Sequence, residues 1–150
     1  MVGDPVENFI LKDQDGKDFS LYDYDNLNKK VLLVFYPKDN TPVCNLQLTN
    51  YDLNYESFKK NDIQVVCINI ADVSEHKSYC EQKGFKFPLL SDSDKKVSSR
   101  FDALTLLGQN KRKLVLIGTD RRILYEKTVL SFLYLNTEQI IKSLKELKIE

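Results

Sequence analysis

The amino-acid sequence predicts an α/β fold, a mixed β-sheet flanked by helices and preceded by an N-terminal β-hairpin. Three observations carry that reading. Residues 31–36 are a continuous apolar run too short for a helix, and 63–70 is β-rich and apolar, so both read as buried strands. Between them Leu48, Tyr51, Tyr55 and Phe58 recur at spacings of three and four, one face of a helix over about 42–60. Strand, helix and strand make a βαβ unit, whose two strands should run parallel.

The remaining elements follow from local chemistry. Phe9-Ile10-Leu11 and Phe19-Ser20-Leu21 flank the polar Asp13-Gln14-Asp15-Gly16, and Asp-Gly is a strong turn signal, so the chain opens on a hairpin. A second helix is expected over 74–83, started by Asp72 with Glu75 in a capping-box-like arrangement and stopped by Gly84. A short helix over 94–101 follows the Ser91-Asp92-Ser93-Asp94 turn. Residues 114–117 and 123–129 read as an antiparallel pair joined at 118–122. A last amphipathic helix starts near Thr137, with Ile140, Ile141, Leu144 and Leu147 as its inner face. This order, βα, βα, then ββα, is the connectivity of a thioredoxin-like fold carrying a hairpin extension.

Bulk properties narrow the class. The 150 residues suit a single domain, 1–150, with a sizeable core. Lys plus Arg equals Asp plus Glu at 22 each, so no basic excess marks a nucleic-acid or membrane-surface partner. No apolar run approaches the roughly 18 residues of a membrane span. The N-terminus has no basic-then-apolar leader, so the expected address is cytoplasmic. Three cysteines do not make a secreted disulfide scaffold, and at least one thiol must stay free. No His/Cys/Asp cluster has metal-ligand spacing, and there is no dinucleotide or phosphate loop, so no cofactor is expected.

The chemistry concentrates in Tyr36-Pro37-Lys38-Asp39-Asn40-Thr41-Pro42-Val43-Cys44, which leaves the end of a central strand and enters a helix. Cys44 falls in the first helical turn. Free backbone N–H groups and the positive end of the helix dipole there favour thiolate, the nucleophilic form. Thr41 can offer a hydroxyl to a bound oxygen. Pro42 suits an early helical position and can shield the sulfur.

Pro37, Thr41 and Cys44 match Pro-x-x-x-Thr-x-x-Cys, and the whole string resembles the peroxiredoxins, most closely the peroxiredoxin Q group, also called bacterioferritin comigratory proteins. The likeness extends to Val2-Gly3-Asp4-Pro5, Lys12-Asp13-Gln14-Asp15-Gly16-Lys17 and Phe87-Pro88-Leu89-Leu90-Ser91-Asp92. It implies reduction of hydrogen peroxide or organic hydroperoxides through Cys44, with Thr41 and Pro42 completing the pocket. The family's arginine maps to Arg112, whose guanidinium would stabilise the thiolate and the charge moving onto the peroxide oxygens. Val43, Asn45 and Gln47 depart from the group's usual residues, at what reads as the rim of the site.

The resemblance also implies how the oxidised sulfur is recovered. Many of the group carry a resolving cysteine five residues after the first, where this chain has Thr49. Cys80, in the 74–83 helix, resembles a second subgroup and is the candidate resolver. Cys67, inside an apolar strand, reads as filler. An intramolecular Cys44–Cys80 disulfide, which needs Cα atoms roughly 4.4–6.8 Å apart, would require one or both first turns to unwind during the cycle. Thioredoxin or a similar dithiol is the implied reductant, and a monomer or weak dimer the expected state. His76, the one histidine, reads as a solvent-exposed helix residue. Three alternatives stand beside this: a thiol–disulfide oxidoreductase, weakened by Gln47 where a second cysteine would stand; a non-catalytic peroxide sensor; and a one-cysteine peroxidase recycled by an external thiol.

Overall fold

The computed structural model describes residues 1–23 and 28–149. Seven strands form one mixed sheet: β1 (Ile10–Lys12), β2 (Asp18–Ser20), β3 (Lys30–Phe35), β4 (Ile63–Asn69), β5 (Leu89–Ser91), β6 (Arg112–Ile117) and β7 (Ile123–Val129). Their order across the sheet is β2-β1-β5-β4-β3-β6-β7. β3 pairs parallel with β4, and β4 with β5, while β6, β7 and the β1–β2 hairpin run antiparallel to their neighbours. The helices are α1 (Pro42–Leu53), α2 (Tyr55–Lys60), α3 (Val73–Lys83), α4 (Lys96–Arg100) and α5 (Thr137–Glu146).

Strand periodicity divides the core in two. Leu32, Val34 and Tyr36 point to one face, where α1, α2, α3 and α5 add Leu48, Tyr51, Phe58, Tyr79, Ile140 and Leu144. Val31, Leu33 and Phe35 point to the other, with Val97 of α4, Phe101 and Phe9. The thioredoxin-like order read from the sequence is present, hairpin included.

Three details differ from expectation. The 42–60 helix is two helices, because Asn54 leaves helical geometry (φ −107°, ψ 21°) and its side chain donates to the Asn50 carbonyl at 2.8 Å. A hydrogen-bonding side chain that competes for the backbone is a common reason for a helix to turn. β5 is an additional strand. Its three residues gave too short an apolar run to stand out, and pairing to β4 and β1 settles it. Leu147 lies beyond α5 and is exposed, whereas Ile140 and Leu144 are buried. No helix among the described residues is long and apolar enough to cross a membrane.

Candidate functional site

β3 delivers the chain to the site. After Tyr36 the backbone turns through Pro37 and Lys38, and Asn40 takes a left-handed conformation (φ 55°), tolerated by asparagine. Thr41 is the N-cap of α1 and Pro42 its first residue, so Cys44 sits in the first turn. In that turn backbone N–H groups lack intrahelical partners. The Thr41 hydroxyl does not cap the helix; it donates to the Lys38 carbonyl at 3.1 Å. Pro42 is exposed, while Cys44 is 1 % exposed and packs with the core around Leu48 and Tyr51.

Arg112 reaches the same place from across the sheet. It begins β6, where alternation sends Arg112 to the Cys44 face and Lys113 to the opposite one. Lys113 accordingly donates to the Phe101 carbonyl at 2.7 Å. The Arg112 guanidinium is held at both ends. Nε and Nη2 donate to the Ser131 carbonyl at 3.2 and 2.7 Å, while Nη1 points at Cys44 Sγ at 3.4 Å and donates to Gln47 Oε1. Arg112 is 3 % exposed, and among the described residues it forms no ion pair with a carboxylate. A buried cation without an anionic partner is costly, and a thiolate at Cys44 supplies that partner.

Gln47 is not at the rim. It is buried one turn after Cys44, its carbonyl accepting from Arg112 and its amide donating to Tyr51 Oη at 3.1 Å. Tyr51 in turn donates to the Leu135 carbonyl at 2.6 Å. The Arg112–Gln47–Tyr51–Leu135 chain therefore pairs the buried polar side chains of this wall with one another and with the backbone. The signal was available: Cys44, Gln47, Leu48 and Tyr51 share one helical face.

All three cysteines are unpaired thiols. Cys67 is fully buried, in register between Val34 and Leu89. Burial pushes its thiol well up, with smaller contributions from Cys80, Asp39 and Cys44. Cys80 is half-buried in α3, and its thiol is pushed up to about 12, chiefly by burial and then by Asp39, Asp15 and Asp13. Its neighbour Tyr79 donates to Asn45 Oδ1 at 2.6 Å, tying α3 to the residue after Cys44.

His76 corrects the sequence reading. It is fully buried, with Nδ1 at 2.7 Å from Asp39 Oδ2 and Nε2 at 3.0 Å from the Leu90 carbonyl. Asp39 Oδ1 also accepts from Tyr36 Oη at 2.5 Å and from Asn69 Nδ2 at 3.0 Å. Val73, His76, Tyr79 and Cys80 form the inner stripe of α3, so helical spacing could have placed the histidine inward. Among the described residues no cluster of His, Cys, Asp or Glu is arranged to hold a metal ion.

Comparison with known proteins fits this geometry. Residues 2–126 match the model of the AhpC/TSA family. The chain is 36% identical over 145 residues to a chloroplastic peroxiredoxin Q of Triticum aestivum, covering 96% of this chain and 63% of that protein. It is 38% identical over 102 residues to a putative peroxiredoxin bcp of Helicobacter pylori, covering 68% of this chain and 66% of that one. The matches thus span just under two thirds of the length of these curated relatives. Among solved structures, a cysteine-to-serine mutant of PrxQ from Xylella fastidiosa superposes with a TM-score of 0.83 at 28% identity, over 99% of this chain and 95% of that one. Peroxidoxin BcpB from Mycobacterium tuberculosis gives 0.81 at 28% identity, over 98% and 96%. The chain belongs to the AhpC/TSA family, among relatives named as peroxiredoxins of the Q and bcp type.

Proposed function

We propose that the protein is a thiol peroxidase that reduces hydrogen peroxide and organic hydroperoxides through Cys44. One observation carries the reading: a buried guanidinium with no carboxylate partner among the described residues stands 3.4 Å from a sulfur in the first turn of a helix. The Cys44 thiolate attacks one peroxide oxygen, and the O–O bond breaks. Sulfur gives up two electrons and becomes sulfenic acid, and the other oxygen leaves as water or alcohol once protonated. Arg112 and the first-turn N–H groups face the region where negative charge develops. Thr41 Oγ1 keeps lone pairs that can accept a hydrogen bond from the peroxide O–H while its own O–H donates to the Lys38 carbonyl. Pro42 closes the entrance to the turn.

The sulfenic acid is resolved by Cys80. Its thiolate attacks Cys44 Sγ, the S–O bond breaks, and the departing hydroxide is protonated to water. The support is positional: α3 carries Cys80 beside Tyr79, which bonds directly to Asn45. Thioredoxin or a similar dithiol then reduces the disulfide by exchange, releasing both thiols. The cytoplasm, with its dithiol reductants, is the compartment this cycle calls for. Cys44→Ser tests the central claim, since a serine hydroxyl is scarcely ionised at neutral pH. That variant should fold and lose peroxide reduction; substantial turnover would remove Cys44 from the role.

A further inference from the structure

α3 is held to the molecule in an unusual way for a core-facing helix. Its buried side chains are His76 and Tyr79, both polar-tipped and with no aliphatic residue beside them, whereas α1 and α5 bury Leu48, and Ile140 and Leu144, next to their own polar groups. Each of the two is anchored to the segment around Cys44. His76 meets Asp39, five residues before the nucleophile, and Tyr79 meets Asn45, one residue after it.

The His76 anchor is a closed polar unit. The Leu90 carbonyl is only an acceptor, so Nε2 carries a proton towards it. Nδ1 and Asp39 Oδ2 meet at 2.7 Å, so both ring nitrogens have polar partners inside the buried site. Tyr36 and Asn69 occupy the other carboxylate oxygen, so the ends of β3 and β4 are joined to the same unit. Such a network is stable when complete and has little tolerance for partial breakage. The Tyr79 ring is backed edge-on by Phe85 at 5.1 Å, which in turn stacks on Phe87 at 5.3 Å.

We propose that the Asp39–His76 pair and the Tyr79–Asn45 hydrogen bond form a polar latch that clamps α3 to the Cys44 loop, and that its release governs how quickly Cys80 reaches oxidised Cys44. The proposal rests on Cys80 as the resolving thiol. While the latch is closed, Cys80 sits inside a formed helix whose last turn is intact, with Gly84 N–H donating to the Cys80 carbonyl at 2.7 Å. Burial also keeps that thiol protonated. Polar anchors suit a latch because opening transfers them to water, where they regain hydrogen bonds, so the net cost of release is small. Apolar anchors would hold the helix more firmly.

The test separates the two chemical steps by rapid quench, thiol alkylation and intact mass. One equivalent of peroxide is added to reduced protein, and sulfenic acid formation is timed apart from the Cys44–Cys80 disulfide. Tyr79→Phe removes one hydroxyl and keeps the ring. It should speed disulfide formation roughly 2- to 10-fold, the worth of one net hydrogen bond, while sulfenic acid formation stays within about twofold. Asn45→Ala should give a similar acceleration, and the double variant should add nothing to either single one. His76→Asn should accelerate the same step further and lower the melting temperature. A helix anchor with no role in timing would lower stability and leave the disulfide rate unmoved, and that result overturns the latch. Absence of any Cys44–Cys80 disulfide in the unaltered protein instead rejects Cys80 as resolver, and the latch with it.

Discussion

Arg112 faces Cys44 with one guanidinium nitrogen at 3.4 Å from the sulfur while the opposite edge of the same plane rests on the Ser131 carbonyl at 3.2 and 2.7 Å. The backbone oxygen fixes the orientation of the fork, and the sulfur meets a cation that cannot turn away. Lysine retains the charge and loses the geometry, because one ammonium cannot span Ser131, Gln47 and Cys44 together. Arg112→Lys should therefore slow the second-order reaction with peroxide by about 10- to 100-fold, the range for removing one oriented donor. Stopped-flow competition against a reference peroxidase measures it. An unchanged constant would leave the charge alone responsible.

Gln47 braces that arginine. Gln47→Leu keeps the volume and deletes both the acceptor for Arg112 Nη1 and the donor to Tyr51. A buried guanidinium N–H is then left unmatched, at a cost of about 1–3 kcal/mol in folding stability. The denaturant midpoint should fall accordingly. Peroxide reduction should slow less than in Arg112→Lys, since Ser131 still holds the fork. A midpoint equal to that of the unaltered protein would show that water replaces the amide without loss.

The parts of this site that were legible in the sequence are those written in short-range pattern. An apolar run followed by Pro37, and a helix stripe beginning near Cys44, place the nucleophile at a strand-to-helix junction without any tertiary information. Asp72 and Gly84 mark the ends of α3, and both act as caps: Asp72 accepts from Glu75 N–H at 2.8 Å, and Gly84 adopts φ 68°. Other features depend on long-range partners. His76 looked like a surface residue because its partner, Asp39, lies 37 positions earlier in the loop. Gln47 looked like rim because its partner is Arg112, 65 positions later. β5 exists through ladders to β4 and β1, and three residues cannot signal that alone.

Cys67 fills space between Val34 and Leu89 in the middle of the sheet. Cys67→Ser puts a hydroxyl where burial already disfavours any polar form of the side chain, so stability should fall by about 1–3 kcal/mol. Turnover with a dithiol reductant should stay at the unaltered rate in native conditions. If Cys67→Ser instead stops recycling while Cys80→Ser does not, the resolving thiol is Cys67. If neither variant matters, the enzyme uses Cys44 alone with an external thiol.

Cys80 gives the prediction with the sharpest sign. Its thiol is pushed from an ordinary 9.0 up to about 12, first by burial and then by the carboxylates of Asp39, Asp15 and Asp13. The folded state therefore holds this proton more tightly than the unfolded chain does. The resulting contribution to stability is complete below pH 9.0 and is lost as pH climbs towards about 12. Urea midpoints of the unaltered protein should accordingly fall more steeply above pH 9.0 than those of Cys80→Ala, a comparison in which the tyrosines and lysines cancel. Reactivity follows the same logic, because alkylation proceeds through thiolate. At about pH 8 Cys80 in the native protein should react with iodoacetamide about a hundredfold or more slower than in denaturant. In Tyr79→Phe that protection should weaken, since a loosened α3 exposes the thiol to water for more of the time. Equal alkylation rates in native and denatured protein would mean that the helix does not keep the Cys80 thiol neutral, and the resolving step would then need no opening at all.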